Sequence, residues 1–370
     1  MPGRLATVLL LVGVGLAAWA IGQAIVEGFA AQGVRFGFTF LDRQAGFTLG
    51  ESLIAVGPGD SYARALLAGF LNTVKVAVPA LVLATVLGTV VGLARLSTNW
   101  LVAQLAGSAV ELVRNTPLLL QLVVWHAAIT WSLPVPADSE ALGPGIHVTN
   151  RGIYLPWVDH PVAWAWVGAA GLAGFLVCGW PSIARRLGPL SGVTRWVLRG
   201  LAAGLCAGAV WWAVGAPWGW DRPVLSSTNL VGGLALTPEF LALWLGLSVY
   251  GGAFIAEVVR GGVLSVPSAQ RDAARALGMR PAAVGARVVA PLALRGSVPP
   301  LTNEYVNIVK NSALGVAIGY PDLISVSNTM LSQTGRAIEA VSIYAAVYLM
   351  LSLSIAAGMG WLNRRSRVAV

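Results

Sequence analysis

Long apolar stretches recur along the chain, and polar residues gather in the segments between them. Each stretch holds about 20 predominantly apolar residues, the length that a helix needs to cross a ~30 Å hydrocarbon core. The predicted spans cover residues 5–26, 66–94, 102–131, 161–180, 197–216, 240–259, 284–307 and 340–361. The pattern therefore predicts an all-α polytopic membrane protein with about eight transmembrane helices.

The first apolar stretch, in MPGRLATVLLLVGVGLAAWAIGQA, has the basic start and small residues of a signal peptide. Its apolar part runs from Leu5 to about Ile25, however, which is longer than the 7–15 residues of a signal core. We therefore expect an uncleaved first span.

Composition agrees with a membrane protein. Only 11% of the residues are charged, against about 25% in soluble domains. The net charge of +9 could indicate nucleic-acid binding, but in a membrane protein it is typical of basic cytoplasmic loops. We therefore expect no nucleic-acid partner. Cys178 and Cys206 both lie in apolar runs without clustered partners, so we expect them to be packing residues.

The basic residues predict the orientation of the spans. With the N-terminus inside, most arginines fall in inside segments, whereas most acidic residues fall outside. The inside arginines are Arg4, Arg95, Arg185, Arg186, Arg195, Arg199, Arg260, Arg271, Arg275, Arg280, Arg287, Arg364, Arg365 and Arg367. Both termini are therefore expected in the cytoplasm.

One cytoplasmic segment, SAQRDAARALGMRP, is charged and alanine-rich although it lies between two apolar spans. Pro267 suits the first helical turn, with Ser265 or Val266 as the cap, and Gly278 suits the residue after the last turn. These limits predict a helix of about 11 residues. Because so short a helix is marginal alone in water, something must hold it.

This segment resembles the EAA loop of ABC-transporter permeases. In QRDAARALGMRPAAVGARVVAPLAL, the positions that match the family pattern are Asp272, Ala273, Ala274, Gly278 and Pro291. The segments GFLNTVKVAV, LVRNTPLLLQLVVW, VPPLTNEYVNIVKNSALGVAIGYPDL and NTMLSQTGRAIEAVSIY are similar to the polar amino-acid uptake branch of that family. The resemblance runs from about residue 62 to 365. In length and span number, the chain is most similar to the longer permease subunit of bacterial general L-amino-acid importers.

The resemblance implies a type I ABC importer permease fold with a five-helix core, in the bacterial inner membrane. Residues 1–62 would form an N-terminal helix and periplasmic loop, and residues 63–365 the permease domain. Within that domain, 161–216 would be an insertion and 265–281 the cytoplasmic coupling helix. Asp272 replaces the usual Glu of the family, and Leu292 the usual Gln after the proline.

The resemblance also implies partners. The coupling helix would dock on a separate ATP-binding subunit, a second homologous permease would complete the pore, and a periplasmic binding protein would deliver an L-amino acid. The ATPase-coupling residues would be Gln270, Asp272, Ala273, Ala274, Arg275, Leu277 and Gly278.

No motif for catalysis or nucleotide binding was found in the sequence. The only lysines, Lys75 and Lys310, lack the GxxxxGK[ST] context of a phosphate-binding loop. No HExxH, Gly-x-Ser-x-Gly or Cys/His cluster is present either. We therefore expect no catalytic residue, metal or cofactor in this chain, with ATP bound by the partner. An ion-coupled secondary transporter is the alternative function.

Polar residues inside two spans predict the substrate pathway, because ionisable groups in a membrane usually face a cavity or a bundle interior. The candidates are Arg114, Asn115, Gln121, Asn303 and Asn307. Pro117 is expected to bend the first of these spans, and Pro299-Pro300 to break the second. The alternative is structural: these groups cap helices, or Arg114 pairs locally with Glu111.

Overall fold

A computed structural model describes residues 37–143, 145–178, 192–215, 219–226 and 228–367, with isolated positions between 12 and 28. The chain divides into two compact units. The first combines Met1–Pro117 with Leu247–Val370, and the second is Leu118–Gly246. The predicted span at 5–26 lies largely outside the described residues.

Helices dominate the described chain, as predicted. In chain order they are α1 Tyr62–Ala94, α2 Trp100–Asn115, α3 Leu118–Ser132, α4 Pro161–Cys178, α5 Gly192–Ala213, α6 Pro238–Leu264, α7 Ser268–Ala276, α8 Pro281–Val284, α9 Ala290–Asn311, α10 Leu323–Thr334 and α11 Ala337–Arg367. A π-helical turn, Gly285–Val289, joins α8 to α9, and a 3₁₀ helix, Ser312–Ile318, follows α9.

Five of the described helices are long and apolar enough to cross a membrane, or six if the broken pair α2 and α3 is one span. The break falls at Thr116 and Pro117, where the sequence predicted a bend. The predicted span at 284–307 corresponds to α9, which is long enough but is not among the helices apolar enough to qualify. The number of eight spans therefore stays a prediction.

Proline does not break α9, contrary to expectation. Pro299 and Pro300 both lie inside the continuous helix. Their missing N–H groups free two carbonyls of the preceding turn, but Val298 and Leu301 on either side are buried. Packing against neighbouring elements therefore holds the helix through both prolines.

Glycines let α1 and α6 approach each other at backbone distance. A Cβ on Gly88 would lie 2.6 Å from Ile255 Cβ, and one on Gly92 would lie 2.6 Å from the Ala256 carbonyl oxygen. Small residues permit such close helix contacts in membranes, where van der Waals packing replaces the hydrophobic effect. We call this contact the glycine seam.

An irregular segment of residues 37–61, here called the strap, covers the N-terminal end of α1. Glu51 of the strap pairs with Lys75 of α1. The buried Asn72 amide donates to the carbonyl oxygens of Glu51 (2.8 Å) and Pro321 (2.9 Å). The strap, α1 and the segment before α10 are therefore joined by buried polar contacts.

Asp322 anchors the start of α10 in the same region. Its carboxylate accepts hydrogen bonds from the Ser325 N–H at 2.8 Å and the Tyr348 hydroxyl at 3.2 Å. Burial raises the pKa of Asp322 to about 6. The hydrogen bonds favour the ionised form and lower the pKa, but burial has the larger effect.

The second unit contains α3, α4, α5 and short strands that the sequence did not predict. The strands are β1 His147–Thr149, β2 Gly152–Leu155, β3 Trp157–Val158, β4 Trp220–Asp221, β5 Val224–Ser226, β6 Asn229–Val231 and β7 Leu234–Leu236. They form antiparallel sheets in the orders β1-β2-β7, β3-β4 and β5-β6. Each has only two to four residues, too few to show a hydrophobic period.

Helices α4 and α5 pack through small side chains. A Cβ on Gly174 would lie 2.7 Å from the Ala202 carbonyl oxygen and 2.8 Å from Cys206 Sγ. Both cysteines are free, and Cys206 contributes to packing, as the sequence predicted.

The glycine seam predicts that replacing glycine by alanine has opposite effects on stability at Gly88 and at Gly358. Gly88→Ala is expected to lower the free energy of unfolding by about 1–3 kcal/mol, because its Cβ has no room. Gly358→Ala in α11, where nothing lies within 4 Å, is expected to raise it by about 0.5–1 kcal/mol. Unfolding of the purified protein in detergent measures both, and shifts of the same sign would contradict the seam.

Asp322 predicts a pH-dependent contribution to stability. Its folded pKa of about 6 exceeds the ~3.9 of an unfolded aspartate. The carboxyl therefore favours folding most below the unfolded pKa, and this contribution is lost as the pH rises through the folded pKa.

Relative to Asp322→Asn, the wild type is expected to lose about 2–3 kcal/mol of unfolding free energy between pH 4 and 7. Asparagine keeps an oxygen that can accept from the Ser325 N–H. Unfolding measured across this pH range checks the difference, and parallel pH profiles would contradict it.

Candidate functional site

The charged segment forms a helix, as predicted. Helix α7 has nine residues, Ser268–Ala276, and Pro267 occupies the N-cap itself rather than the first turn. The prediction of Ser265 or Val266 as the cap is therefore wrong. Pro267 has φ −56° and ψ 139°, so its ψ is extended and the helix begins one residue later than expected.

Gly278 ends the helix as the sequence predicted. Its φ is +78°, in the left-handed region that favours glycine. The Gly278 N–H donates to the Arg275 carbonyl oxygen at 2.9 Å, and the Met279 N–H donates to that of Ala274 at 3.2 Å. These bonds satisfy carbonyls that the helix end would otherwise leave unpaired.

Most of the predicted coupling residues lie on the surface of α7. Ala274 is the exception, since it is only 5% exposed and packs toward its own fold. Leu277 is 83% exposed, although leucine usually lies inside a protein. Asp272 and Arg275 form an exposed ion pair at 3.7 Å. The exposed residues are Gln270, Asp272, Ala273, Arg275, Leu277 and Gly278.

A second polar site lies where α1, α2 and α6 meet. The Glu257 carboxylate of α6 pairs with Arg95 at the C-terminal end of α1. It also accepts from Arg260 at 3.0 Å and lies 3.6 Å from Arg114 of α2. The Arg114 guanidinium stacks over the Phe254 ring, 4.8 Å from its centroid. Three guanidinium groups thus surround one carboxylate.

Glu304 of α9 extends this site. Its carboxylate lies near the Asn307 side chain and within electrostatic range of Arg114. Asn303 and Asn307 are both exposed. The neighbouring Tyr305 hydroxyl hydrogen-bonds with Thr85 of α1 at 2.9 Å. Helices α2 and α9 therefore place opposite charges, on Arg114 and Glu304, within electrostatic range of each other.

The five predicted pathway residues do not all belong to this cluster. Asn115 is the exposed last residue of α2, and Gln121 lies in α3 of the second unit. Arg114 pairs with Glu257, and no pair with Glu111 occurs among the described residues. The local alternative is therefore wrong, because Glu257 provides the carboxylate near Arg114.

Glu257 and Glu304 were not chosen from the sequence. Both could have been recognised in the sequence, because each is an ionisable residue inside a predicted span. Among the residues that the structure describes, no group of three or more His, Cys, Asp or Glu could hold a metal ion.

Comparison with known proteins agrees with this architecture. Residues 80–368 match the family model described as binding-protein-dependent transport system inner membrane component. The chain is 39% identical over 366 residues to the general L-amino acid transport system permease protein AapQ of Rhizobium johnstonii, covering 98% of this chain and 90% of that protein.

A second relative is the glutamate/glutamine/aspartate/asparagine transport system permease protein BztB of Rhodobacter capsulatus. It is 34% identical over 401 residues, covering 96% of this chain and 91% of that protein. The family match favours binding-protein-dependent transport over the ion-coupled alternative. The chain belongs to the family of binding-protein-dependent transport system inner membrane components.

Proposed function

We propose that this chain is the permease subunit of an ATP-driven importer of L-amino acids. The observation that carries the substrate class is that the Glu304 carboxylate of α9 lies within electrostatic range of the Arg114 guanidinium of α2. An amino acid carries its carboxylate and its ammonium on the same α-carbon, so a cation and an anion that face one region match both groups. The family membership and the names of the relatives support the same substrate class.

The two ends of the substrate would be recognised by different chemistry. The planar Arg114 guanidinium suits a carboxylate, to which it can donate two parallel hydrogen bonds. The Glu304 carboxylate, which lies near the Asn307 side chain, would accept from the ammonium. Neither contact touches the substrate side chain, so the site would accept L-amino acids with different side chains.

The exposed surface of α7 favours the presence of an ATP-binding partner. A nine-residue helix with an exposed leucine at its C-terminal end presents a surface that a partner can cover. Because the sequence has no phosphate-binding loop, ATP would be bound and hydrolysed in the partner. Ala274 would position α7 from inside, and the exposed residues would make the contact.

The remaining partners and the orientation follow from the family. A periplasmic binding protein would deliver the amino acid, and a second homologous permease would complete the pore. The chain would lie in the bacterial inner membrane with both termini in the cytoplasm, which places α7 inside and the strap outside. Residues 161–216 would be a peripheral insertion in the permease domain.

Transport by the complete importer tests this function. The chain is reconstituted in proteoliposomes with its ATP-binding subunit, second permease and binding protein, and uptake is measured for each of the twenty labelled L-amino acids. ATP-dependent uptake of at least one of them is expected. Uptake driven by an ion gradient without ATP would contradict the proposal.

Arg114→Gln is expected to reduce ATP-dependent uptake at least about tenfold, because a charged contact to the substrate carboxylate is lost. Arg43→Gln in the exposed part of the strap removes the same charge away from the site and is expected to leave uptake unchanged. Equal uptake by both variants would contradict a substrate contact at Arg114.

Ala273→Arg is expected to lower the recovery of the ATP-binding subunit with the purified chain by about tenfold. A large side chain would separate the partner from the exposed face of α7. The matched control is Ala63→Arg, which is also exposed but lies in the first turn of α1, on the proposed periplasmic side. If both variants co-purify equally with the partner, α7 is not the docking element.

A further inference from the structure

Glu257 is surrounded by more positive charge than it can neutralise. Its Oε2 accepts from Arg260 Nε at 3.1 Å and Nη2 at 3.0 Å, and its Oε1 accepts from Arg95. The third guanidinium, of Arg114, lies 3.6 Å from Oε1, which is beyond a good hydrogen bond. Arg114 is therefore the least committed of the three cations.

Arg114 also keeps donors free for another acceptor. Its side chain is 39% exposed, and it makes no hydrogen bond to any residue in the described part of the chain. Its remaining contacts are the Phe254 ring and the charge of Glu304. A substrate carboxylate at Arg114 would compete with Glu257 for the same positive charge.

The contact between Arg114 and Glu257 has room to change. Helices α1 and α6 meet at backbone distance in the glycine seam, whereas α2 packs on them through the side chains of Val110 and Val113. An apolar cavity of about 210 Å³ lies between α2 and the other two helices, lined in part by Val91, Ala109 and Ala253. Movement of α6 relative to α2 would therefore change the Arg114–Glu257 distance while leaving the Arg95–Glu257 pair intact.

Helix α6 connects Glu257 directly to α7. Glu257 lies about two turns before the end of α6 at Leu264, and α7 begins soon afterwards at Ser268. A displacement of α7 would reach Glu257 through the intervening helix. Because Coulomb attraction weakens as the distance grows, such a shift would change how strongly Glu257 neutralises Arg114.

We propose that Glu257 is a positioning residue that controls the availability of Arg114 to the substrate carboxylate. When Glu257 approaches Arg114, it neutralises the guanidinium and releases the substrate; when it withdraws, Arg114 binds the carboxylate. Glu257 itself does not touch the substrate. The proposal rests on the proposed function, since it needs an amino-acid carboxylate at Arg114 and a partner that moves α7.

A purely structural role for Glu257 gives a different expectation. If the carboxylate only pins α1 to α6, its removal lowers stability and the amount of complex, but not the affinity of the intact complex for substrate. Control of Arg114 requires that affinity and turnover change in opposite directions. Both quantities are therefore measured on complexes matched for folding by size-exclusion chromatography.

The experiment uses the purified permease–ATPase complex. The probe is the labelled L-amino acid that the wild type transports fastest among the twenty. Equilibrium binding is measured without the binding protein, and turnover is measured in proteoliposomes with saturating binding protein. Glu257→Gln removes the charge at nearly constant shape, and Glu111→Gln does the same at an exposed site on α2.

Glu257→Gln is expected to lower the Kd for the probe about tenfold and to reduce turnover by a similar factor. The bound carboxylate then has no competitor and leaves slowly. Glu111→Gln is expected to change neither quantity. Glu257→Asp keeps the charge but shortens its reach, so a decrease in Kd of about two- to fivefold is expected. If Glu257→Gln does not assemble, the Kd of Glu257→Asp tests the proposal in its place.

An unchanged or raised Kd in the assembled Glu257 variants would overturn the proposal. If the wild type binds the probe, Arg114→Gln abolishes binding and the Glu257 variants bind normally, only the role of Glu257 fails. If the wild-type importer transports no amino acid, the proposed function fails instead.

Discussion

The cost of placing charge among apolar helices determines two contacts of α1. A charged side chain in a membrane is retained only when it is paired, wetted or functional. In the N-terminal half of α1, Lys75 pairs with Glu51, which the strap brings from outside the helical core. At the C-terminal end of α1, Arg95 pairs with Glu257 of α6. These two ion pairs join α1 to the strap and to α6.

The two pairs differ in their charge balance. At Glu51 and Lys75 one anion meets one cation, and buried backbone contacts from Asn72 surround the pair. At Glu257 one carboxylate meets three guanidinium groups. The balanced pair serves the fold, whereas the cluster at Glu257 keeps a net positive charge that attracts another anion. The excess positive charge around Glu257 therefore indicates anion binding more directly than any single residue of that cluster does.

Features that depend on local chemistry could be predicted from the sequence. The apolar runs predicted most of the helices, Pro117 predicted the break between α2 and α3, and Gly278 predicted the end of α7. Features that depend on distant partners could not. Arg95 and Glu257 are 162 residues apart, and Ile153 pairs with Leu236 across the α4–α5 hairpin. Neither contact leaves a periodic signal, because a single ion pair or a strand of a few residues has no repeat to detect.

The glycine seam decides which helix can respond to movement of α7. Gly88 and Gly92 bring the α1 backbone against Ile255 and Ala256, and close-packed backbones cannot slide without clashes. Helix α6 therefore carries α1 with it, together with Arg95. Helix α2 contacts the other two through side chains, including Val110 and Val113, and borders an apolar cavity, so its contact with them is looser than the glycine seam. The small residues of the seam thus join α1 and α6 closely and leave the looser contact to α2. Helix α2 carries Arg114, the group that would meet the substrate.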